Sequence, residues 1–180
     1  VSACAVCDGF FYKGQEVAIV GGGDTAAEEA SYLAKLCKKV TMLVRKDELR
    51  ASKAMQHRVL NTPNIEVLFN HETKEIVGEK AVEGVRVLNS ANGKEKTIPV
   101  TGFFVAIGHK PNTDIFKNWL DMDSVGYLKV TPGSTKTNIK GVFASGDAAD
   151  KIYRQAVTAA GTGCMAALDA ERYLADKGIH

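Results

Sequence analysis

A short apolar strand pattern, Glu16-Val-Ala-Ile-Val20, runs directly into Gly21-Gly-Gly-Asp-Thr-Ala26 and then into an alanine-rich helical pattern. No other feature restricts the fold as much. The spacing is GxGxxA, with Gly21, Gly23 and Ala26 at the small positions. The first glycine permits a tight turn, the second lets backbone N–H groups approach a pyrophosphate, and the third small residue lets the helix pack on the strand. The helix amino terminus then offers aligned N–H donors and partial positive charge to phosphate. Thr25 to Cys37 reads as that helix, with Ala26, Ala27, Ala30, Leu33, Ala34 and Leu36 as its apolar face. Val40-Thr-Met-Leu-Val44 reads as a second buried strand, which completes a βαβ unit. A glycine turn between two core elements is the plain alternative. The strand before and the helix after supply the context that favours dinucleotide binding, and the candidate residues are Gly21, Gly22, Gly23, Asp24, Thr25 and Ala26.

The residues just past the second strand discriminate between coenzymes. A site for NAD places an acid there to accept from the ribose 2′-hydroxyl, whereas a site for NADP offers cations to the 2′-phosphate. This chain has Arg45-Lys-Asp-Glu-Leu-Arg50, so Arg45, Lys46 and Arg50 are the candidates. Without the glycine loop upstream, a solvated charged turn would be the better reading. With it, the pattern points to NADP.

Ahead of the glycine loop stands Cys4-Ala-Val-Cys7-Asp8. A CxxC is a two-electron thiol/disulfide couple, and a cysteine near a helix amino terminus has a lowered pKa. Asp8 can serve as a proton shuttle or as a simple helix cap. The other cysteines, Cys37 and Cys164, stand alone and read as packed, weakly polar core residues. A zinc knuckle needs a second ligand pair, and His57, His71, His109 and His180 show no metal-ligand spacing. No metal is expected. A net charge of +2 gives no support for a nucleic-acid partner. No apolar run approaches the roughly 18 residues that span a bilayer, and the first residues do not resemble a signal peptide. The chain opens on Val1-Ser2-Ala3, which suggests a piece of something longer.

Ser52 to Leu60 reads as a further helix. Alternating, β-branched texture then predicts strands at Ile65–Phe69, Lys74–Val77, Val82–Leu88 and Lys96–Val100, with a hairpin turn at Asn89–Gly93. Phe103-Phe-Val-Ala-Ile107 reads as another fully buried strand. Beyond Pro111-Asn112 the pattern predicts a short helix around Phe116 to Leu120, a strand at Gly141–Ser145, and a long helix from about Val157 to Asp176. The domain division falls at residues 1–118 and 119–180.

Taken together, several ordered blocks resemble the low-molecular-weight, bacterial-type thioredoxin reductases. They are Cys4-Ala-Val-Cys-Asp-Gly9, Gly21–Ala26, Arg45-Lys46 with Arg50-Ala51, Val105-Ala-Ile-Gly-His-Lys-Pro-Asn-Thr113, Gly141-Val-Phe-Ala-Ser-Gly-Asp147 and Tyr153-Arg-Gln-Ala156 continuing to Gly163. The resemblance covers essentially the whole chain. It implies an α/β, three-layer Rossmann-like FAD/NAD(P)-binding fold of parallel sheet, helices and β-meander, with a partial second domain of the same type. It further implies a cytoplasmic homodimeric flavoprotein carrying electrons from NADPH through FAD to a CxxC disulfide and on to thioredoxin. In that scheme Cys7 faces the flavin, Cys4 exchanges with thioredoxin, and Asp8 is the acid/base. Ile107 and Gly108 belong to the cofactor-binding set. Gly146 belongs to that set too, Asp147 binds the ribityl chain, and Arg154, Gln155 and Ala156 lie along the flavin ring. Val44 stands where the family commonly has histidine, and Lys46 replaces a second arginine, which offers no bidentate fork. The segment carrying the family's first FAD fingerprint lies outside this sequence, so the chain corresponds to the NADPH domain plus the carboxyl-terminal part of the FAD domain. A flavoprotein feeding a peroxiredoxin is the near alternative; a non-catalytic NADP-binding redox sensor is the distant one.

The glycine-rich βαβ turn is committed to the nicotinamide coenzyme, and FAD needs such a turn of its own. The 180-residue polypeptide is therefore expected to purify without flavin and to leave thioredoxin oxidised in the presence of NADPH. A visible absorption spectrum checks this, and a yellow protein with stoichiometric FAD would contradict it.

Overall fold

The computed structural model describes residues 1–179, and the chain divides into two compact units, Val1–Gly108 and His109–His180. His180 lies outside the described residues.

The first unit has three layers. Its centre is a parallel sheet of β1 (Glu16–Val20), β2 (Lys39–Val44), β3 (Ile65–Phe69) and β7 (Gly102–Val105), in the order β3-β2-β1-β7. Alternation along each strand divides its side chains between two cores, because successive Cβ atoms point to opposite faces. Val17, Ile19, Val40, Met42 and Phe104 face one side, where they meet α2 (Asp24–Ala34) and α3 (Lys53–Leu60) through Ala26, Ala27, Ala30, Leu33, Met55 and Val59. Ala18, Leu43 and Phe103 face the other side. There they meet Val85 and Val87 of an antiparallel meander, β4 (His71–Val77), β5 (Gly84–Asn89) and β6 (Glu95–Pro99). The hairpin turn between β5 and β6 closes with Gly93, at φ +71°, donating its N–H to Asn89 O.

The amino-terminal segment is built into this unit. Ser2 lies parallel to Phe104, its N–H donating to Phe103 O while its own carbonyl accepts from Val105 N–H. The chain then turns through α1 (Ala5–Asp8) and a 3₁₀ turn at Gly9–Tyr12. Ala5 is fully buried in the helix-side core, and a Cβ at Gly9 would meet Leu33 at 3.1 Å and Tyr32 at 3.2 Å. Tyr12 sets its ring edge-on to Phe104.

The second unit holds two isolated bridges, Met122 with Leu128 and Lys136 with Phe143, short 3₁₀ turns, and the long helix α4 (Ala156–Ala175). Asp169 ties α4 to residues 134–135, accepting from the Thr135 N–H and hydroxyl and from the Ser134 hydroxyl. Val157, Met165, Leu168 and Leu174 of α4 are exposed.

Several sequence expectations are corrected. The first helix stops at Ala34 rather than Cys37, because the Asn64 side chain takes the Ala34 and Cys37 carbonyls and the chain tightens at residues 35–37. The strand expected to Ile107 ends at Val105, and Ile107 is exposed. The helix expected around Phe116 to Leu120 is a 3₁₀ turn at Asp114–Phe116, since Asn118 adopts φ +79°. The strand expected at Gly141–Ser145 makes only the single bridge at Phe143, between Gly141 at φ +86° and Gly146 at φ +63°.

Phe104 is the bulkiest fully buried side chain and joins the sheet, the amino-terminal segment and the helix layer. Phe104→Ala is expected to cost about 3–5 kcal/mol, measured by urea unfolding. A loss below about 1 kcal/mol would mean that this core is not organised as described.

Candidate active site

The glycine loop occupies the carboxyl edge of the parallel sheet. Gly21 sits at φ +148°, where an added Cβ would lie 2.2 Å from Ala106 O and 2.7 Å from Ala26 Cβ. The strand, the helix and the end of β7 therefore meet at a point with no room for a side chain. Gly22 is confined on another side, its hypothetical Cβ 3.1 Å from Val44 Cγ1. Gly23 differs: nothing lies within 4 Å of where its Cβ would be, and as N-cap of α2 it makes no side-chain capping bond. Gly21 and Gly22 are small because protein fills the space, whereas Gly23 leaves open space beside the first-turn amides. That cradle fits the pyrophosphate of a dinucleotide.

The structure brings the cationic segment to this loop. Gly22 O accepts from both Arg50 N–H (2.7 Å) and Ala51 N–H (3.1 Å). Asp24 Oδ1 accepts from Ser52 N–H at 2.8 Å. Asn70, in the left-handed region at φ +57°, donates its N–H to Lys46 O. Gln56 donates to the Leu49 and Ala51 carbonyls, and Leu49 is buried beneath the turn. Arg45, Lys46 and Arg50 are left exposed on a fastened backbone. The Ser52 N–H, and then its hydroxyl, hold the Asp24 carboxyl below the ordinary range. Leu49, Ser52, Gln56 and Asn70 carry no motif that marks them from sequence. A lone leucine inside a charged run was the available signal for the first of them.

Cys4 and Cys7 form a disulfide, with Cα atoms 5.3 Å apart. Cys4 is the N-cap of α1, its sulfur accepting from Cys7 N–H at 3.2 Å. Asp8 is by position the N-cap of the 3₁₀ turn that follows, but its side chain makes no capping bond there. Its N–H donates to Cys4 O, and the residue is half-buried beside the exposed Cys7. Because Ser2 runs parallel to β7, the chain approaches Cys4 heading toward the sheet edge that carries the glycine loop. Cys37 is buried, as expected, and burial pushes its thiol pKa up. Cys164 is exposed on α4, against the expectation of a core position. Ile107 and Gly108, the latter at φ +106°, continue outward from β7 beside the glycine turn. No group of three or more His, Cys, Asp or Glu gathers to hold a metal among the described residues.

In the second unit, Gly146 and Asp147 begin a 3₁₀ turn, and Gly146 N–H donates to Thr162 of α4. Asp150 organises the next turn, accepting from the Ile152, Tyr153 and Arg154 N–H groups and from the Thr158 hydroxyl. Burial pushes the Asp150 carboxyl up, and these donors outweigh it to hold the carboxyl below the ordinary range. Arg154 is thereby kept at φ +49°, with its guanidinium donating to Tyr127 and the Lys151 carbonyl. Gln155 caps α4, and Ala156 begins it. A preformed turn with an exposed carboxylate at Asp147 fits the ribityl and ring part of a flavin; the pyrophosphate of FAD has no second glycine loop here.

Residues 1–163 match the family described as pyridine nucleotide-disulphide oxidoreductase. Thioredoxin reductase from Streptomyces clavuligerus is 54% identical over 97% of this chain and 54% of its own length. A bifunctional thioredoxin reductase/thioredoxin from Mycobacterium leprae is 49% identical over 98% of this chain and 38% of its own. The crystal structure of thioredoxin reductase from Streptococcus pyogenes superposes with a TM-score of 0.90 at 38% identity, covering 97% of this chain and 57% of that one. The chain spans about half the length of the curated thioredoxin reductases it matches.

Thiol accessibility separates the cysteines. In the folded protein Cys164 is expected to alkylate readily and Cys37 only on unfolding, while Cys4 and Cys7 become reactive once a reductant opens their disulfide. Mass spectrometry after timed labelling reads this; rapid native labelling of Cys37 would contradict its placement.

Proposed function

The chain belongs to the pyridine nucleotide-disulphide oxidoreductase family, and within it we propose that the chain is the NADPH-binding and disulfide-bearing part of a thioredoxin-disulfide reductase. The observation that carries the reading is the pairing, in one unit, of a Cys4–Cys7 disulfide with a glycine loop to which a cationic turn is hydrogen-bonded. The family implies nicotinamide and flavin cofactors; NADPH and FAD are the specific assignments proposed. The nicotinamide-coenzyme part is proposed as residues 1–118, ten residues beyond the compact-unit boundary at Gly108, and residues 119–180 as the carboxyl-terminal portion of an FAD domain.

Gly21 to Ala26 hold the coenzyme pyrophosphate through backbone amides and the α2 amino terminus. Arg45, Lys46 and Arg50 face the 2′-phosphate, and Ile107 and Gly108 border the nicotinamide side. Gly146, Asp147, Arg154, Gln155 and Ala156 contribute to the flavin site. When bound, FAD would pass two electrons from the nicotinamide to the disulfide. The Cys4–Cys7 bond would then open to a dithiol, with Asp8 as the proposed acid/base for the proton at Cys7. Cys4 as thiolate attacks the disulfide of thioredoxin, and Cys7 resolves the mixed disulfide, releasing reduced thioredoxin and restoring Cys4–Cys7. Phe10 and Phe11 stand exposed shortly beyond the disulfide and offer apolar contact to a protein substrate. The whole protein is proposed to be a cytoplasmic homodimer; no helix among the described residues is long and apolar enough to cross a membrane.

NADPH is expected to bind the chain roughly ten- to a hundredfold more tightly than NADH, since a charge-assisted hydrogen bond contributes about 1.5–3 kcal/mol. Arg45→Ala is expected to remove most of that difference. Calorimetric titration with both coenzymes decides it, and equal affinities in the parent chain would refute the assignment.

A further inference from the structure

The cations expected to read the 2′-phosphate are on a turn that has no regular secondary structure, from Arg45 to Arg50. Their reading depends on how that turn is held against the glycine loop. Backbone bonds from Arg50 and Ala51 to Gly22 O supply part of the hold, and the Asn70 N–H to Lys46 O fixes the far side. The one side chain of the α2 amino terminus that reaches across is Asp24, whose Oδ1 accepts from Ser52 N–H at 2.8 Å. Ser52 is at the same time the N-cap of α3, its hydroxyl accepting from Met55 N–H. Asp24 thus clamps the start of α3, and with it the end of the cationic turn, to the first residue of α2.

The choice of an acid here runs against the local electrostatics. An anion in the first turn of a helix suits the macrodipole, but this helix start is where phosphates would sit, and a carboxylate beside them repels. Alanine would serve helix propensity as well. The acid is explained by what it grips.

We propose that Asp24 is a positioning residue for coenzyme selectivity: its carboxylate acts through Ser52 to set the register of Arg45, Lys46 and Arg50 against the phosphate loop. This inference rests on the proposal that the turn binds the 2′-phosphate. It makes two opposed effects separable. Asp24 lowers affinity for every pyrophosphate-bearing ligand by its charge, and it raises the preference for the 2′-phosphorylated coenzyme by its grip.

The test measures dissociation constants of NADPH and NADH for the parent chain, Asp24→Ala and Asp24→Asn. Charge at the pyrophosphate affects both coenzymes alike, so the ratio of the two constants isolates the grip. Asp24→Ala is expected to reduce the NADPH/NADH affinity ratio about three- to tenfold, less than the full ten- to hundredfold worth of a charge-assisted hydrogen bond because backbone bonds still hold the turn. Asp24→Asn keeps an acceptor for Ser52 N–H, and is expected to retain the parent ratio while binding both coenzymes more tightly. A structural weakening without the positioning role would lower both affinities and leave the ratio unmoved. A parent preference that survives unchanged in Asp24→Ala overturns this inference alone. Equal affinities in the parent chain overturn the 2′-phosphate assignment and this inference with it.

Discussion

The close approach at Gly21 is the constraint on which the rest depends. With a Cβ excluded by Ala106 O and Ala26 Cβ, the chain can leave β1, turn, and start α2 while touching the end of β7. A side chain there would push α2 away from the sheet. The helix-side core of Val17, Ile19, Ala26, Ala30 and Phe104 would then open, and the helix amino terminus would no longer point at the sheet edge. The packing of this unit, and with it the proposed phosphate cradle, depends on the atom that glycine lacks.

That junction determines the arrangement of the first unit. Parallel pairing of β1 with β2 and β7 puts all three carboxyl ends on one edge. The turn after β2 therefore emerges beside the glycine loop, where Gly22 O collects two of its N–H groups. The amino-terminal strand-like residue Ser2 extends the same sheet in the same direction, so the segment after it carries Cys4 toward that edge. The segment that leads into the disulfide and the strand that leads into the glycine loop thus run in one direction because both pair parallel with β7.

Much of this was legible in the residues. The run Val17–Val20 leading into Gly21–Ala26 dictated a βαβ unit, since buried parallel strands read as short continuous apolar runs, and the two faces of β1 emerge as Val17/Ile19 and Ala18 in separate cores. Pairs that depend on contacts across the fold were not legible. Nothing in the sequence marks Asn64 as the residue that ends α2, or Asn70 as the donor to Lys46 O. Cys164 and the Gly141–Ser145 strand misled for a related reason. Both carry the apolar pattern of packed structure, but in the second unit α4 has no fully buried residue and Phe143 finds a single bridge. Local pattern reports what a segment is suited to, and burial requires a neighbour.

The central claim is that the glycine loop and the cationic turn of the first unit together bind a 2′-phosphorylated nicotinamide dinucleotide. Backbone amide exchange of the 180-residue chain, with saturating NADPH and with NADH at equal occupancy, tests it most directly. The account predicts that both coenzymes slow exchange at Gly22 to Thr25, and that NADPH alone adds protection across residues 45–52. Protection by NADPH that leaves Gly22 to Thr25 untouched, or that is the same for both coenzymes at residues 45–52, would contradict it.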